Sequence, residues 1–243
     1  MTAYEWDGRA LVPREQEVAG PLEAADSWRQ VDGRANGLEL HLARFEAAAG
    51  ALPSGFRDAM GPLVATGDLF PRVSVSRGRL LFDVRPAPPP RPATALTAVR
   101  APDPRARPRV KGPDFAALAD FRDRYQRAGT HDTLITDSVG RICETTTGAV
   151  VAWDGATLVV PAGEKLPSVT LRQVLEHARR DGVQVREVPL GFTACEHHPV
   201  WFLNSLHGIS PVSKIVSSCG HTITPPPHPQ AREWAAWWWE GFA

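Results

Sequence analysis

The spacing of apolar positions divides the chain into elements. Leu22–Trp28 reads as a strand that ends in a polar turn at Val31-Asp32-Gly33-Arg34. Leu38-Glu39-Leu40 reads as a second short strand leading into a helix over 41–52. There Leu42, Phe45 and Ala49 recur at helical steps, and Pro53 forces an end. Val73, Val75, Leu81 and Val84 then alternate about Gly78, as two strands around a turn do. Prolines crowd both ends of a short apolar strand, Ala93–Val99. Proline fixes φ and removes a ladder donor, so a connection between domains is expected here.

After the connection, Phe115, Leu118, Phe121 and Tyr125 share one helical face closed by Gly129. Strands are expected at 133–137 and 141–146 around Ser138-Val139-Gly140, and at 149–161 as a hairpin on Asp154-Gly155. Leu171, Val174, Leu175 and Ala178 mark a helix from Thr170 to Asp181 with Gly182 as its stop; strands 183–190 and 200–206 follow. The last thirteen residues carry Trp234, Trp237, Trp238 and Phe242 at helical steps. With no basic residues interleaved, they read as a helix packing its indoles on the body of the protein.

Charge narrows the function class. Acidic and basic side chains balance at 27 each, which gives no global field of the kind that draws a chain onto nucleic acid. No apolar leader opens the sequence and no stretch approaches bilayer length, so a cytoplasmic protein without membrane association is expected. Cys143, Cys195 and Cys219 are odd in number and irregular in spacing, arguing for a reducing compartment. Cys195-x-His197 with Cys219-x-His221 is unlike the common zinc spacings, and no metal is expected. Lysine is confined to Lys111, Lys165 and Lys214, so imine chemistry would have only three amines to choose from.

Three features bear on chemistry. Lys111 stands where the helix of 115–125 is expected to start, and Glu144 lies in the strand-like RICETT. Thr170 opens a helix after LPSV, where unpaired N–H groups and the positive dipole end favour an anion. Alone, Thr170 reads more readily as a helix N-cap.

Taken in order, DSWRQVDGR, HLARFEAA, VSVSRGR, RVKGPD, GTHDTLITDSVGRICETTTGAVVAWDGATLVVP, LPSVT and NSLHGISPV resemble the class IV aminotransferases and their relative aminodeoxychorismate lyase over nearly the whole chain. The resemblance implies a mixed α/β (α+β) fold of type IV, like D-amino-acid aminotransferase. It would have a small N-terminal α/β domain over 1–100, a proline-rich connection at 101–110 and a barrel-like C-terminal domain over 111–243. It implies pyridoxal 5'-phosphate as cofactor, a homodimer, and a small amine or amino acid as substrate. Carried over by position, Lys111 matches the lysine that holds the cofactor as a Schiff base and moves the proton, and Glu144 the acid facing the pyridine nitrogen. Arg44 matches the phosphate arginine, where a planar fork suits a dianion. Val169 and Thr170 match the helix-start phosphate donors, and Ser205 with the Leu206 backbone the second phosphate loop. Ser27, Trp28 and Arg29 lie where the first-domain strand would face the cofactor; Arg77 and Arg79 are candidates for a substrate carboxylate, and His207 sits beside the phosphate loop.

Some positions depart from the pattern. Ala149 replaces the asparagine five residues after the glutamate, Ser168 and Leu171 replace the glycine and arginine of LPGITR, and Ala116 stands where branched-chain enzymes carry an aromatic. These departures favour the lyase branch, in which pyruvate is eliminated to leave 4-aminobenzoate. The alternatives are an aminotransferase, which needs a keto-acid partner, and a fold repurposed for binding.

Overall fold

Antiparallel pairing organises the N-terminal part of the computed structural model, which describes residues 1–15 and 20–242. Its elements are β1 (Thr2–Trp6), β2 (Leu11–Pro13), β3 (Ala24–Ser27), β4 (Gln30–Val31), α1 (Leu38–Ala49), α2 (Phe56–Met60), β5 (Asp68–Leu69), β6 (Arg72–Ser76) and β7 (Arg79–Val84). Five strands form an antiparallel sheet in the order β2-β1-β7-β6-β3, and β4 pairs with β5 in a separate ribbon. Strand alternation puts Ala24, Val73 and Phe82 on one face, where they pack with Trp28, Leu42, Phe45, Phe56 and Met60. Burying each large side chain in that core contributes about 1.5–3 kcal/mol. Leu38-Glu39-Leu40 is not a strand but the first turn of α1, because Leu38, Leu42 and Phe45 continue one i, i+4, i+7 stripe.

The second group comprises β8 (Thr94–Ala98), α3 (Phe115–Tyr125), β9 (Asp132–Thr136), β10 (Ile142–Thr145), β11 (Ala149–Asp154), β12 (Thr157–Pro161), α4 (Val169–Arg180), β13 (Val185–Val188), β14 (Val200–Asn204), β15 (Gly208–Ser217), β16 (Thr222–Ile223) and α5 (Ala231–Glu240). Eight of these strands run in the order β10-β9-β8-β15-β14-β11-β12-β13, and β16 adds to β15. β12 and β13 are parallel, and α4 is the crossover that a parallel pair requires. The sheet curls until its edges meet: Ile142 N on β10 donates to Leu190 O just beyond β13 at 2.8 Å, and Arg141 bridges Gly191. The barrel-like sheet implied by the resemblance is therefore present, filled by Leu96, Leu134, Val150, Phe202 and Ile215 among others.

Two compact units result, one of Met1–Pro89, Val110–Ala116 and the residues from Trp239, the other of Pro90–Arg109 and Ala117–Trp238. The division thus falls at 89/90, whereas the sequence placed it near 100, and the short segment with Lys111 returns to the first unit. The C-terminal tryptophans pack as their spacing predicts: Trp234 lies 5.5 Å from both Trp153 and Trp201, and Trp237 stacks on His177 at 3.8 Å. Among the described residues no helix is long and apolar enough to cross a membrane, and no group of three or more His, Cys, Asp or Glu side chains is placed to hold a metal.

Candidate active site

In the first unit, β3 gathers the candidate groups. As an edge strand it has open donors, and Ala25 N gives one to Lys111 O at 2.7 Å, pinning the lysine backbone to the sheet. Gly112 makes this approach possible: its φ is 122°, and a Cβ there would stand 2.7 Å from Ala25 N and 2.8 Å from Ala24 C. Lys111 therefore lies in a bend four residues before α3, not at a helix start, and is half-buried with Nζ 5.5 Å from the centre of the Phe115 ring.

The next residue along β3, Asp26, points to the opposite face and is fully buried. Arg44 forks onto it, Nε to Oδ2 at 2.7 Å and Nη2 to Oδ1 at 2.8 Å, and His41 Nδ1 lies 2.8 Å from Oδ1. Burial opposes ionisation of Asp26, but Arg44 and His41 outweigh it and hold the carboxyl far below its ordinary range. Burial holds His41 below the ordinary histidine value against the pull of Asp26, with Arg44 and Lys111 adding to the depression. His41 Nε2 is buried with no partner among the described residues.

Ser27 faces away again and accepts from Arg85 Nη2 at 3.2 Å; Arg85 Nε donates to Phe70 O at 3.0 Å. Burial, with Arg72 adding and Asp83 opposing, pushes the Arg85 pKa down to about 10. A half-buried guanidinium whose hydrogen bonds go to a carbonyl and a hydroxyl can take a carboxylate. The sequence reading missed Arg85 because it opens the proline-rich run.

The expected substrate arginines are placed otherwise. Arg29 is buried, bidentate on Asp68, bonded to Pro88 O at 3.1 Å and 5.1 Å from the Trp239 ring centre. Arg77 sits exposed at the β6–β7 turn with φ 52°, and Arg79 pairs with Glu5.

In the second unit, Glu144 is buried on β10 at a register shift between Ile142 and Glu144, the kind of irregularity that re-aims a side chain. Its Oε1 accepts from Leu166 N at 3.1 Å and from Arg105, which is itself held by Asp103 (Nε to Oδ1, 2.9 Å) and by Glu164 O at 3.0 Å. The following ETTTG turn is anchored on Asp132, fully buried, whose carboxylate accepts from the hydroxyls of Thr145, Thr146 and Thr147 and from Thr133 N and Thr147 N. Neither Arg105 nor Asp132 is legible as a partner from local sequence.

The start of α4 has its cap at Ser168, whose Oγ accepts from Leu171 N at 3.2 Å. Thr170 is therefore not the cap but lies inside the first turn. It is buried, and its Oγ1 has no hydrogen-bond partner among the described residues. The N–H groups of Val169 and Thr170 have no acceptor within the helix, so open donors surround that hydroxyl. A buried polar atom without a partner costs about 1–3 kcal/mol, and an anion at the helix start would relieve the cost. Ser205 and Leu206 lie in the β14–β15 turn, where Asn204 Oδ1 accepts from Leu206 N at 3.2 Å and His207 N at 2.8 Å. His207 is buried with Nε2 3.1 Å from Arg91 Nη2.

The model of the amino-transferase class IV family matches residues 23–215, spanning both units, and the chain belongs to that family. A search of the curated proteins finds no match. Among solved structures, a hypothetical aminotransferase from Mycobacterium tuberculosis with α-ketoglutarate and PMP bound aligns over 100% of this chain and 99% of its own, at TM-score 0.79 and 18% identity. A branched-chain aminotransferase from the thermophilic archaeon Thermoproteus uzoniensis, with norvaline, aligns over 99% of this chain and 94% of its own, at TM-score 0.79 and 16% identity. A candidate 4-amino-4-deoxychorismate lyase from Legionella pneumophila covers 90% of each chain, at TM-score 0.74 and 17% identity. At these identities the likeness establishes the fold, that of the type IV pyridoxal-phosphate enzymes.

Proposed function

We propose that this chain is a pyridoxal-phosphate-dependent enzyme that carries its cofactor on Lys111, and that its reaction is the elimination of pyruvate from aminodeoxychorismate to leave 4-aminobenzoate. The observation that carries the cofactor reading is the buried Thr170 hydroxyl at the start of α4, which has no hydrogen-bond partner among the described residues. Family membership and the PLP-bound Mycobacterium tuberculosis and Brucella abortus neighbours support the same cofactor.

Once bound, the cofactor supplies an electron sink for the pair left when the carbon bearing the substrate nitrogen loses its proton. The chain's residues do the rest. Lys111 provides the amine, and its Nζ takes and returns the proton, with the backbone fixed by Ala25 and Gly112. Glu144, oriented by Arg105 and Leu166 N, presents a carboxylate to the ring nitrogen. Val169, Thr170, Ser205 and Leu206 supply phosphate donors, whereas the Arg44 fork is taken up by Asp26. Arg85 beside Ser27 receives a substrate carboxylate in the place first given to Arg29 and Arg77.

The lyase branch rests on the departures at Ala116, Ala149 and Leu171. Transamination is the second reading, favoured by the full-length neighbour that binds α-ketoglutarate and PMP. Incubation with aminodeoxychorismate and no keto acid distinguishes them. Pyruvate and 4-aminobenzoate in equal amounts are expected. No pyruvate, with amino transfer once a keto acid is added, overturns the lyase branch in favour of the second reading.

A further inference from the structure

The tryptophan-rich C-terminal helix has no task in the reaction above, yet one of its indoles touches both phosphate elements of the second unit. Trp238 on α5 is 1% exposed. Its Nε1 donates to Gln173 Oε1 at 3.1 Å, on α4 and three residues beyond Thr170. Its ring lies against the start of β15: a Cβ built on Gly208 would stand 2.3 Å from Trp238 Cε3 and 2.7 Å from Cζ3. No side chain fits there, and Gly208 follows directly on the Asn204–His207 turn that carries Ser205 and Leu206.

We propose that Trp238 is a positioning residue for the cofactor phosphate, fixing the first turn of α4 against the Ser205–Leu206 turn so that both sets of donors meet one dianion. The inference rests on the phosphate reading proposed above. Donors on two separate elements serve one anion only if their spacing is held to a fraction of an ångström, and a shift of about 1 Å at such a site costs up to about a hundredfold. The apolar stripe of α4, Val174 and Ala178, fixes the helix as a body, while Asn204 fixes the turn internally. Trp238 meets Gln173 on the helix and Gly208, the residue directly after the turn, through separate parts of one rigid ring system. The close seat of the indole edge on the Gly208 backbone, in space that a side chain would fill, sets that spacing.

The test compares pyridoxal 5'-phosphate with pyridoxal, which lacks the phosphate, by dissociation constant from the absorbance change on binding at Lys111. The proteins are wild type, Trp238→Phe, Trp238→Ala and Gln173→Leu, the last removing the indole hydrogen bond and leaving the ring. The preference for the phosphorylated form is expected to fall about tenfold or more in Trp238→Ala, and severalfold in Gln173→Leu and in Trp238→Phe, which both lose the indole hydrogen bond. A merely structural role would weaken both ligands alike, and an unchanged preference overturns the proposal. If Trp238→Ala does not fold, Gln173→Leu decides. A wild type that binds neither ligand at Lys111 overturns the cofactor reading itself, and this inference with it.

Discussion

Glu144 and Arg105 form a buried ion pair across 39 positions of sequence, with side chains 7% and 4% exposed. Asp103 clamps the far side of the same guanidinium, so the arginine is fixed before it meets the glutamate. Removing one partner leaves the other charge buried. Arg105→Met is expected to lose about 3 kcal/mol in urea unfolding, and the double variant with Glu144→Gln to recover part of that loss. Additive losses would show that the two residues act separately.

Thr170→Val separates stability from binding. The hydroxyl is buried without a partner among the described residues, so its removal is expected to leave the cofactor-free protein as stable as wild type or up to about 1 kcal/mol more stable. The same variant should bind pyridoxal phosphate about tenfold more weakly, as loss of one charge-assisted hydrogen bond does. Thermal melts with and without cofactor read both effects. Weaker stability with unchanged affinity would mean that the hydroxyl faces no phosphate.

Gly112→Ala addresses the seat of Lys111. The added methyl meets the β3 backbone at 2.7 Å in a region of φ that alanine rarely adopts. Borohydride trapping of pyridoxal phosphate on Lys111, followed by mass spectrometry, is expected to fall severalfold at a fixed time. Full trapping would show that the pinned backbone is not needed.

Acid should destabilise the fold. Burial is the largest cause holding His41, His131, His177 and His228 below the ordinary value of 6.5, and Asp26 lies below 3.8 because Arg44 and His41 outweigh its burial. For each group the unfolded chain binds more protons than the folded one over the interval between the two pKa values. Stability is therefore complete above about pH 6.5 and is lost as pH falls through the folded values. The melting temperature is expected to be lower at about pH 5 than at about pH 7.5. A flat or opposite trend would contradict the lowered histidine values.

Local pattern made much of the fold legible. The stripe of α1, the hairpins at Gly78 and Gly155, the face of α4 and the packing of the tryptophans all follow from spacing and turn chemistry. Strands β1 and β2 escaped because TAYEW and LVP are too short and mixed to show a period, and Leu38–Leu40 misled because three residues fit either a strand or a helical turn. At the candidate site, motifs singled out Lys111, Glu144 and Thr170. The partners Asp26, Arg85, Arg105 and Asp132 lie at sequence distances that no local pattern encodes, and Arg105 stood inside a segment read as a linker. Ser168 took the cap from Thr170 because a cap is defined by the backbone just outside the helix, a boundary that periodicity fixes poorly.

The central claim is that Lys111, of three lysines, carries pyridoxal phosphate. The direct measurement is the absorbance spectrum of the purified protein with pyridoxal phosphate, before and after borohydride, for wild type and Lys111→Ala. The account predicts a visible band in wild type that borohydride removes, with the added mass on the Lys111 peptide, and no band in the variant. A wild type without the band, or a band that persists in Lys111→Ala, would contradict it.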